Sequence, residues 1–272
     1  MSLEKIRLIV ADIDGTIRPL KGSPSERTIL TIERLMAKGY LFGLASGRPI
    51  DDTINKYFDW QMSRQFDFII SWNGAQLYDD RSKKTYECNY LKKEWIKEIM
   101  ELMSCFDCNI NMYDGDAYLS SKETDRAWFS AFKNRRRFVH TENMADFYRH
   151  DNGGIMFRVK EEDMPKIEEM AASLKDKDYV GFKTQSDLME FSHKDANKGN
   201  ALMRYCQMYD ISLAECLAFG DTTNDNSMLK ICHGVCLLNG SEDTKSLAEY
   251  VTDKDVDHEG FSDFVEKHQL LS

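Results

Sequence analysis

Nowhere does this chain carry the run of about 20 apolar residues that a helix needs to cross a bilayer, so membrane insertion is not expected of it. Its N-terminus lacks a basic patch leading into an apolar segment, the pattern of a secretory leader, and a cytoplasmic protein is expected. Positive charge is scarce: the net charge is −10, which argues against a nucleic-acid backbone as partner. An acidic chain that handles an anionic small molecule must gather its cations in one place. A coherent metal-binding cysteine set is also missing. Cys105 and Cys108 have CxxC spacing and Cys232 and Cys236 lie near His233, but neither pair belongs to a four-ligand group, and the cysteines read as reduced thiols. Internal repeats and low-complexity tracts are absent as well.

What is present is an ordinary globular composition, 42% hydrophobic and 30% charged over 272 residues, enough for one large domain or two ordinary ones. The apolar run IRLIVADI (6–13) has the length and β-branching of a buried strand, as do YLFGLAS (40–46) and FDFIIS (66–71). Between the first two, Ile29, Ile32, Leu35 and Met36 share one helical face, with Ser23 or Ser25 as cap and Gly39 as terminator. A short helix is expected after Pro49. Apolar strands joined by helices predict a doubly wound parallel sheet, an α/β fold whose ligands collect at the carboxyl ends of the strands. Asp12, Ser46 and Asn73 each stand at such an end.

Residues 83–187 have another texture, with half of the Trp and Tyr, the basic run Lys133–Arg137 and the break Asn152-Gly153-Gly154. They read as an α+β domain inserted between a first core segment, 1–82, and a second, 188–272. In the second segment LMEFS reads as a strand, KGNALMRYCQMY as a helix, CLAFG (216–220) as a short buried strand, NSMLKIC as a helix and GVCLL as the final strand. One sheet built from both ends of the chain is expected.

Four stretches at strand ends or helix starts carry the chemistry: Asp12-Ile13-Asp14-Gly15-Thr16, Ser46-Gly47-Arg48, Lys198-Gly199, and Gly220-Asp221-Thr222-Thr223-Asn224-Asp225. They supply carboxylates, a hydroxyl, an ammonium and turn glycines. Mg²⁺ favours one or two carboxylates together with phosphate oxygens and water, and Asp12 and Asp221 suit it. The need for cations is quantitative. A carboxylate at ~3.5 Å from a phosphate dianion feels about 9 kcal/mol of repulsion at an effective dielectric of ~20, or roughly seven powers of ten in rate. A divalent ion together with Lys198 balances that charge.

In this order, DIDGT, ASGR, the Lys-Gly at a helix start and GDTTND resemble the four motifs of the haloacid dehalogenase superfamily. Asn73-Gly74-Ala75, NKGNAL (197–202) and GDTTNDNSML resemble its Cof-type sugar-phosphatase branch, whose C2B cap is inserted where residues 83–187 stand. The resemblance covers nearly the whole chain. It implies Asp12 as the nucleophile that forms an aspartyl-phosphate, and Asp14 as the acid for the leaving alkoxide and then the base for water. Proximity of the two aspartates should raise one pKa of the pair. The resemblance further implies Mg²⁺ on Asp12, the Asp14 carbonyl and Asp221, and Lys198 neutralising charge between nucleophile and phosphate. The phosphoryl oxygens would fall to Ser46, the Gly47 amide, the Ile13 amide and Asn224, with Arg48 and Asn73 as further substrate contacts. Thr16 and Asp225 would support, Asp225 by orienting Lys198 or the metal shell.

Asp14 favours phosphate transfer over dehalogenation, because a halide leaves without a proton. The expected partner is a small phosphorylated metabolite, and the expected cap closes over the site and excludes water. A phosphotransferase or phosphomutase using the same intermediate stays open, as does a phosphometabolite-binding protein without turnover, and so do monomer and homodimer. Asn73-Gly74 reads equally as a hairpin turn with AQLYDD returning. Ser46-Gly47 also reads as a helix cap, and Arg135–Arg137 as a solvated helix end or a grip on a second anionic group. Two departures from the branch, Leu237-Leu238-Asn239-Gly240 and DHEGF (257–261), are expected to alter only the pocket wall.

Overall fold

A computed structural model describes Leu3 and residues 5–272. Its first strand, β1 (Leu8–Asp12), is buried along its whole length, and its side chains alternate between two cores. Ile9 and Ala11 join a cluster with Ile32, Leu35 and Met36 of the helix Glu26–Ala37 and Phe261 and Phe264 of the helix Gly260–Lys267. Leu8 and Val10 join a second cluster with Ala201, Leu202 and Tyr205 of the helix Lys198–Met208. Helices therefore cover both faces of the sheet, as continuously apolar strands require. Ser25, one of the two expected caps, accepts the Thr28 N–H and starts the first of these helices.

After β1 come β2 (Leu41–Ala45), β3 (Phe68–Ser71), β4 (Gln76–Asp79) and β5 (Lys84–Glu87). The next six strands are β6 (Asn109–Asp114), β7 (Ala117–Ser120), β8 (Arg137–His140), β9 (Ile155–Arg158), β10 (Tyr179–Gln185) and β11 (Leu188–His193). The last are β12 (Cys216–Gly220), β13 (His233–Cys236) and β14 (Tyr250–Val251). One sheet has the order β14-β13-β12-β1-β2-β3-β4-β5, the other β10-β11-β9-β6-β7-β8. In the first sheet β12 pairs parallel with β1, so both ends of the chain build it, and the fold is the doubly wound α/β core expected. Among the described residues β4 alone runs against the other strands of this sheet: it returns antiparallel to β3 after Asn73-Gly74, and β5 turns back antiparallel to β4.

The chain divides into two compact units, one formed by residues through Cys88 with Asn197–Ser272 and the other by Asn89–Ala196. These limits correct the expected insert of 83–187. β5 pairs with β4 and belongs to the core sheet. β11, which contains LMEFS, pairs antiparallel with β10 and β9 and belongs to the inserted unit. A five-residue apolar tract does not say which sheet will take it, and the adjacent β10 captures this one. GVCLL is not the last strand either, since β14 adds to the edge beside β13.

The inserted unit packs its helices Lys93–Met103 and Met164–Ala172 against Ile110, Leu119, Phe157 and Phe191 of its own sheet. Its basic run is only partly solvated. Arg136 is buried, donates to the Gly115 carbonyl and lies over the Tyr113 ring, while Arg137 pairs with Asp116 at 3.4 Å.

Candidate active site

The carboxyl ends of β1, β2 and β12 meet at a cavity of ≈ 840 Å³ formed within the core unit. Asp12 and Asp14 reach it from β1 and the turn after it, Ser46 and Arg48 from beyond β2, and Asp221 and Asn224 from beyond β12. Asp12, Asp221 and Asp225 each offer a carboxylate oxygen, and the three oxygens lie within 4.8 Å of one another.

Lys198 sits at the first turn of its helix, fully buried behind Asp12. Its Nζ lies 2.6 Å from Asp12 Oδ1 and 2.6 Å from Asp225 Oδ1. It does not line the cavity, so the structure gives it contact with the carboxylates rather than with the cavity space. Asp225 is bifunctional: its Oδ2 accepts the N–H groups of Asp221 at 2.9 Å and Thr222 at 3.1 Å. One buried carboxylate thus ties Lys198 to the loop after β12. Thr16 donates to Asp221 Oδ1 at 3.0 Å and fixes its rotamer. Between them Gly15 has φ +95°, and a Cβ there would fall 2.3 Å from Asp221 Oδ2.

Charge crowding shows in the acidities. Burial pushes the Asp12 carboxyl up, against the pull of Lys198 and with help from Asp225 and Asp221. Burial with the Asp225 charge pushes Asp221 up to about 6. The Lys198 ammonium is pulled down by burial, but the charges and hydrogen bonds of Asp12 and Asp225 outweigh it and set it above the usual lysine range. The acids crowding Asp12 are therefore Asp225 and Asp221; the expected partner, Asp14, is elsewhere. Its carboxylate pairs with Arg18 and with Arg48. Three buried carboxylates with a single ammonium suit a further hard cation, and their oxygen-only donor set is of the kind a small divalent ion takes.

The remaining candidates are placed as follows. Ser46 is buried and its Oγ accepts the Arg48 N–H at 3.2 Å. The Ile13 side chain lies in the core, so only its backbone can serve the cavity. Asn73 does not line the cavity. Its carboxamide covers Gly47, and its Oδ1 accepts the Asn224 Nδ2 at 3.3 Å, which makes it a support for Asn224. Asn224 Oδ1 also accepts the Thr222 hydroxyl at 2.7 Å.

Gly74 joins this hairpin to the Lys198 helix. It has φ +106°, and a Cβ would lie 2.1 Å from the Asn197 carbonyl oxygen. Gly74→Ala is expected to cost about 1–3 kcal/mol for the backbone conformation alone, and more because the collision is with the helix cap. Urea denaturation of the variant checks this; an unchanged midpoint would show that the cap can yield.

Three residues escaped sequence reasoning. Asn239 donates to the Gly15 carbonyl at 2.8 Å and accepts the Val256 N–H at 2.8 Å, bracing two walls of the cavity. Asp243 accepts from Thr223 and Asn226, each at 3.0 Å, and holds the loop that carries Asn224. Arg18 pairs with Asp14. Asn239 lies in one of the two segments that depart from the Cof-type pattern and Arg18 in the first motif segment, but no spacing marked either as a brace. The second departure also reaches the cavity, through Asp257.

A carboxylate at a strand end, a cluster of three acids and a buried ammonium thus meet on a doubly wound sheet, and the sequence model of the haloacid dehalogenase-like hydrolases matches residues 9–265. The chain belongs to this family, and it is a phosphatase. It is 24% identical over 252 residues to a 5-amino-6-(5-phospho-D-ribitylamino)uracil phosphatase of Bacillus subtilis, covering 90% of this chain and 91% of the relative. A haloacid dehalogenase-like hydrolase from Bacteroides thetaiotaomicron superposes with a TM-score of 0.85 at 26% identity, over 97% of this chain and 99% of the other. A sugar phosphatase of HAD subclass IIB superposes with a TM-score of 0.81 at 20% identity, over 97% and 99%. Among the described residues no helix is long and apolar enough to cross a membrane.

Proposed function

We propose that the protein hydrolyses small phosphomonoesters, sugar phosphates or related phosphometabolites, with Mg²⁺ and through an aspartyl-phosphate on Asp12. The observation that carries this reading is the seating of Asp12: it lines the cavity while Lys198 holds its Oδ1, which leaves Oδ2 to attack. The names of the ribitylaminouracil phosphatase and the sugar phosphatase support this substrate class. The free state of all seven cysteines accords with a reducing, cytoplasmic setting.

In the first step Asp12 Oδ2 forms a bond to phosphorus as the ester P–O bond breaks, and Asp14 gives its proton to the departing oxygen. In the second, water attacks the same phosphorus, Asp14 takes the water proton, and the Asp12 acyl phosphate bond breaks to release phosphate. Ser46, the Gly47 and Ile13 amides, Asn224 and Arg48 orient the phosphoryl oxygens. Lys198 and Asp225 hold Asp12 in place, and Thr16 holds Asp221. Mg²⁺, held by Asp12, Asp221 and the Asp14 carbonyl, would supply the positive charge that the transferring phosphoryl group requires. We place selectivity for the leaving group in the inserted unit.

Phosphate release from an aryl phosphate and from a panel of sugar phosphates, with Asp12→Asn as control, tests this reading. Inorganic phosphate should be the only phosphorylated product; a second phosphorylated sugar would make the protein a phosphotransferase or mutase. Metal binding has its own test. Magnesium at 100 times its dissociation constant should add about 2.7 kcal/mol of stability, and Asp221→Asn should lose most of that gain. Equal thermal shifts in the two proteins would remove Asp221 from the metal site.

A further inference from the structure

Asp14 is held at both oxygens. Arg18 Nη2 pairs with Oδ1, and Arg48 reaches Oδ2 with Nε at 3.1 Å and Nη2 at 3.1 Å. The two arginines differ in what else they can reach. Arg48 lines the cavity and is available to a phosphoryl group; Arg18 is not among the cavity residues.

Arg18 is built into a tight loop. Its N–H donates to the Ile13 carbonyl at 3.1 Å, and its carbonyl accepts the Gly15 N–H at 2.8 Å, so the chain doubles back and lays the guanidinium against Asp14. Nη1 donates to the Gly22 carbonyl, closing a second loop around the same side chain. Nε is buried without a hydrogen-bond partner, a cost incurred while both Nη groups are aimed. The pair is largely shielded, with side-chain exposures of 17% for Arg18 and 28% for Asp14, so it is less screened than a surface ion pair.

A phosphate dianion entering the cavity competes with Asp14 for Arg48; Arg18 then remains the fixed donor to Asp14 Oδ1, and the Oδ2 that Arg48 releases is the oxygen that carries the proton. We propose that Arg18 is a positioning residue: it holds Asp14 in line with the departing oxygen while Arg48 is drawn to the phosphoryl group. The proposal rests on the phosphatase reading above and deepens it, since nothing in the first step touches Arg18 except through Asp14.

A residue that acts through the general acid should matter in proportion to the leaving group's need for a proton. A nitrophenolate departs with little protonic help and an unsubstituted phenolate requires more, although the two esters have nearly the same shape. The experiment measures kcat/KM, which reports on transfer to Asp12, for a series of substituted phenyl phosphates. The proteins compared are wild type, Arg18→Met, Arg18→Lys, Asp14→Asn and the Arg18→Met/Asp14→Asn double variant.

Arg18→Met should lower kcat/KM for phenyl phosphate at least about 10-fold more than for 4-nitrophenyl phosphate, within the 10²–10⁴-fold reach of general acid catalysis. Arg18→Lys, which keeps the charge, should recover part of that difference. In the Asp14→Asn background Arg18→Met should add less than about 2-fold, because the group it serves is gone. An equal loss across the series, or losses that multiply in the double variant, would make Arg18 a structural residue only and overturn the proposal. If Arg18→Met fails to fold, the Arg18→Lys series and its coupling to Asp14→Asn decide. A wild type without Asp12-dependent phosphate release would instead overturn the phosphatase reading, and this proposal with it.

Discussion

Lys198→Met is expected to lower folding stability by about 3–5 kcal/mol and to reduce turnover by more than about 100-fold. Methionine keeps most of the aliphatic stem, so packing around the helix start changes little and the loss is one of charge. In the native protein the ammonium is fully buried and touches two carboxylates at 2.6 Å each. Without it, Asp12, Asp221 and Asp225 share a buried space with no cation from the chain. Turnover falls because Asp12 loses the contact that seats it.

The cause can be separated from mere damage by removing a charge as well as adding a deficit. Asp225→Asn alone should be destabilising, because Lys198 and the loop after β12 both depend on it. In the Lys198→Met background, however, it removes an uncompensated charge, and the double variant should recover at least about 1 kcal/mol relative to additivity. Urea denaturation of the four proteins in metal-free buffer measures this cycle. Strict additivity would show that Lys198 and Asp225 do not act as a pair.

Asp12→Asn is expected to do the opposite to stability while costing more in rate. Turnover should fall at least about 10⁴-fold, since an amide oxygen cannot form and release the acyl phosphate. Folding should not suffer. The side chain keeps its shape and can still accept the Lys198 hydrogen bond, while one charge leaves a cluster in which burial and two neighbouring acids already oppose it. The metal-free thermal midpoint should equal or exceed that of the wild type, and the magnesium-dependent gain should shrink. A variant that retains more than about 1% of the rate would move the nucleophile elsewhere on the cavity wall.

The two predictions show which parts of this protein could be read from its residues. β1, β2 and β3 were legible because their side chains are apolar on both faces over a strand's length between turn residues, as a covered parallel strand requires. The hairpin at Asn73-Gly74 was legible as a turn. That Asn73 ends up behind Gly47, supporting Asn224 from 151 positions away, was not. The tract LMEFS had the right hydrophobicity for either sheet, and the neighbouring β10 decided its place.

The acids behaved similarly. By itself the sequence determined the alternation that makes a doubly wound sheet, the strand ends at which polar residues stand, and the order of four motifs rich in carboxylates. These follow from local rules, side-chain period and turn chemistry, which neighbouring residues are enough to express. Only the tertiary structure decided that Asp12 is crowded by Asp221 and Asp225 rather than by Asp14, that Lys198 lies behind the cavity wall, and that Asp14 belongs to two arginines. Those pairings join residues up to about 200 positions apart, and which partner a buried charge finds depends on how the strand ends and loops pack together.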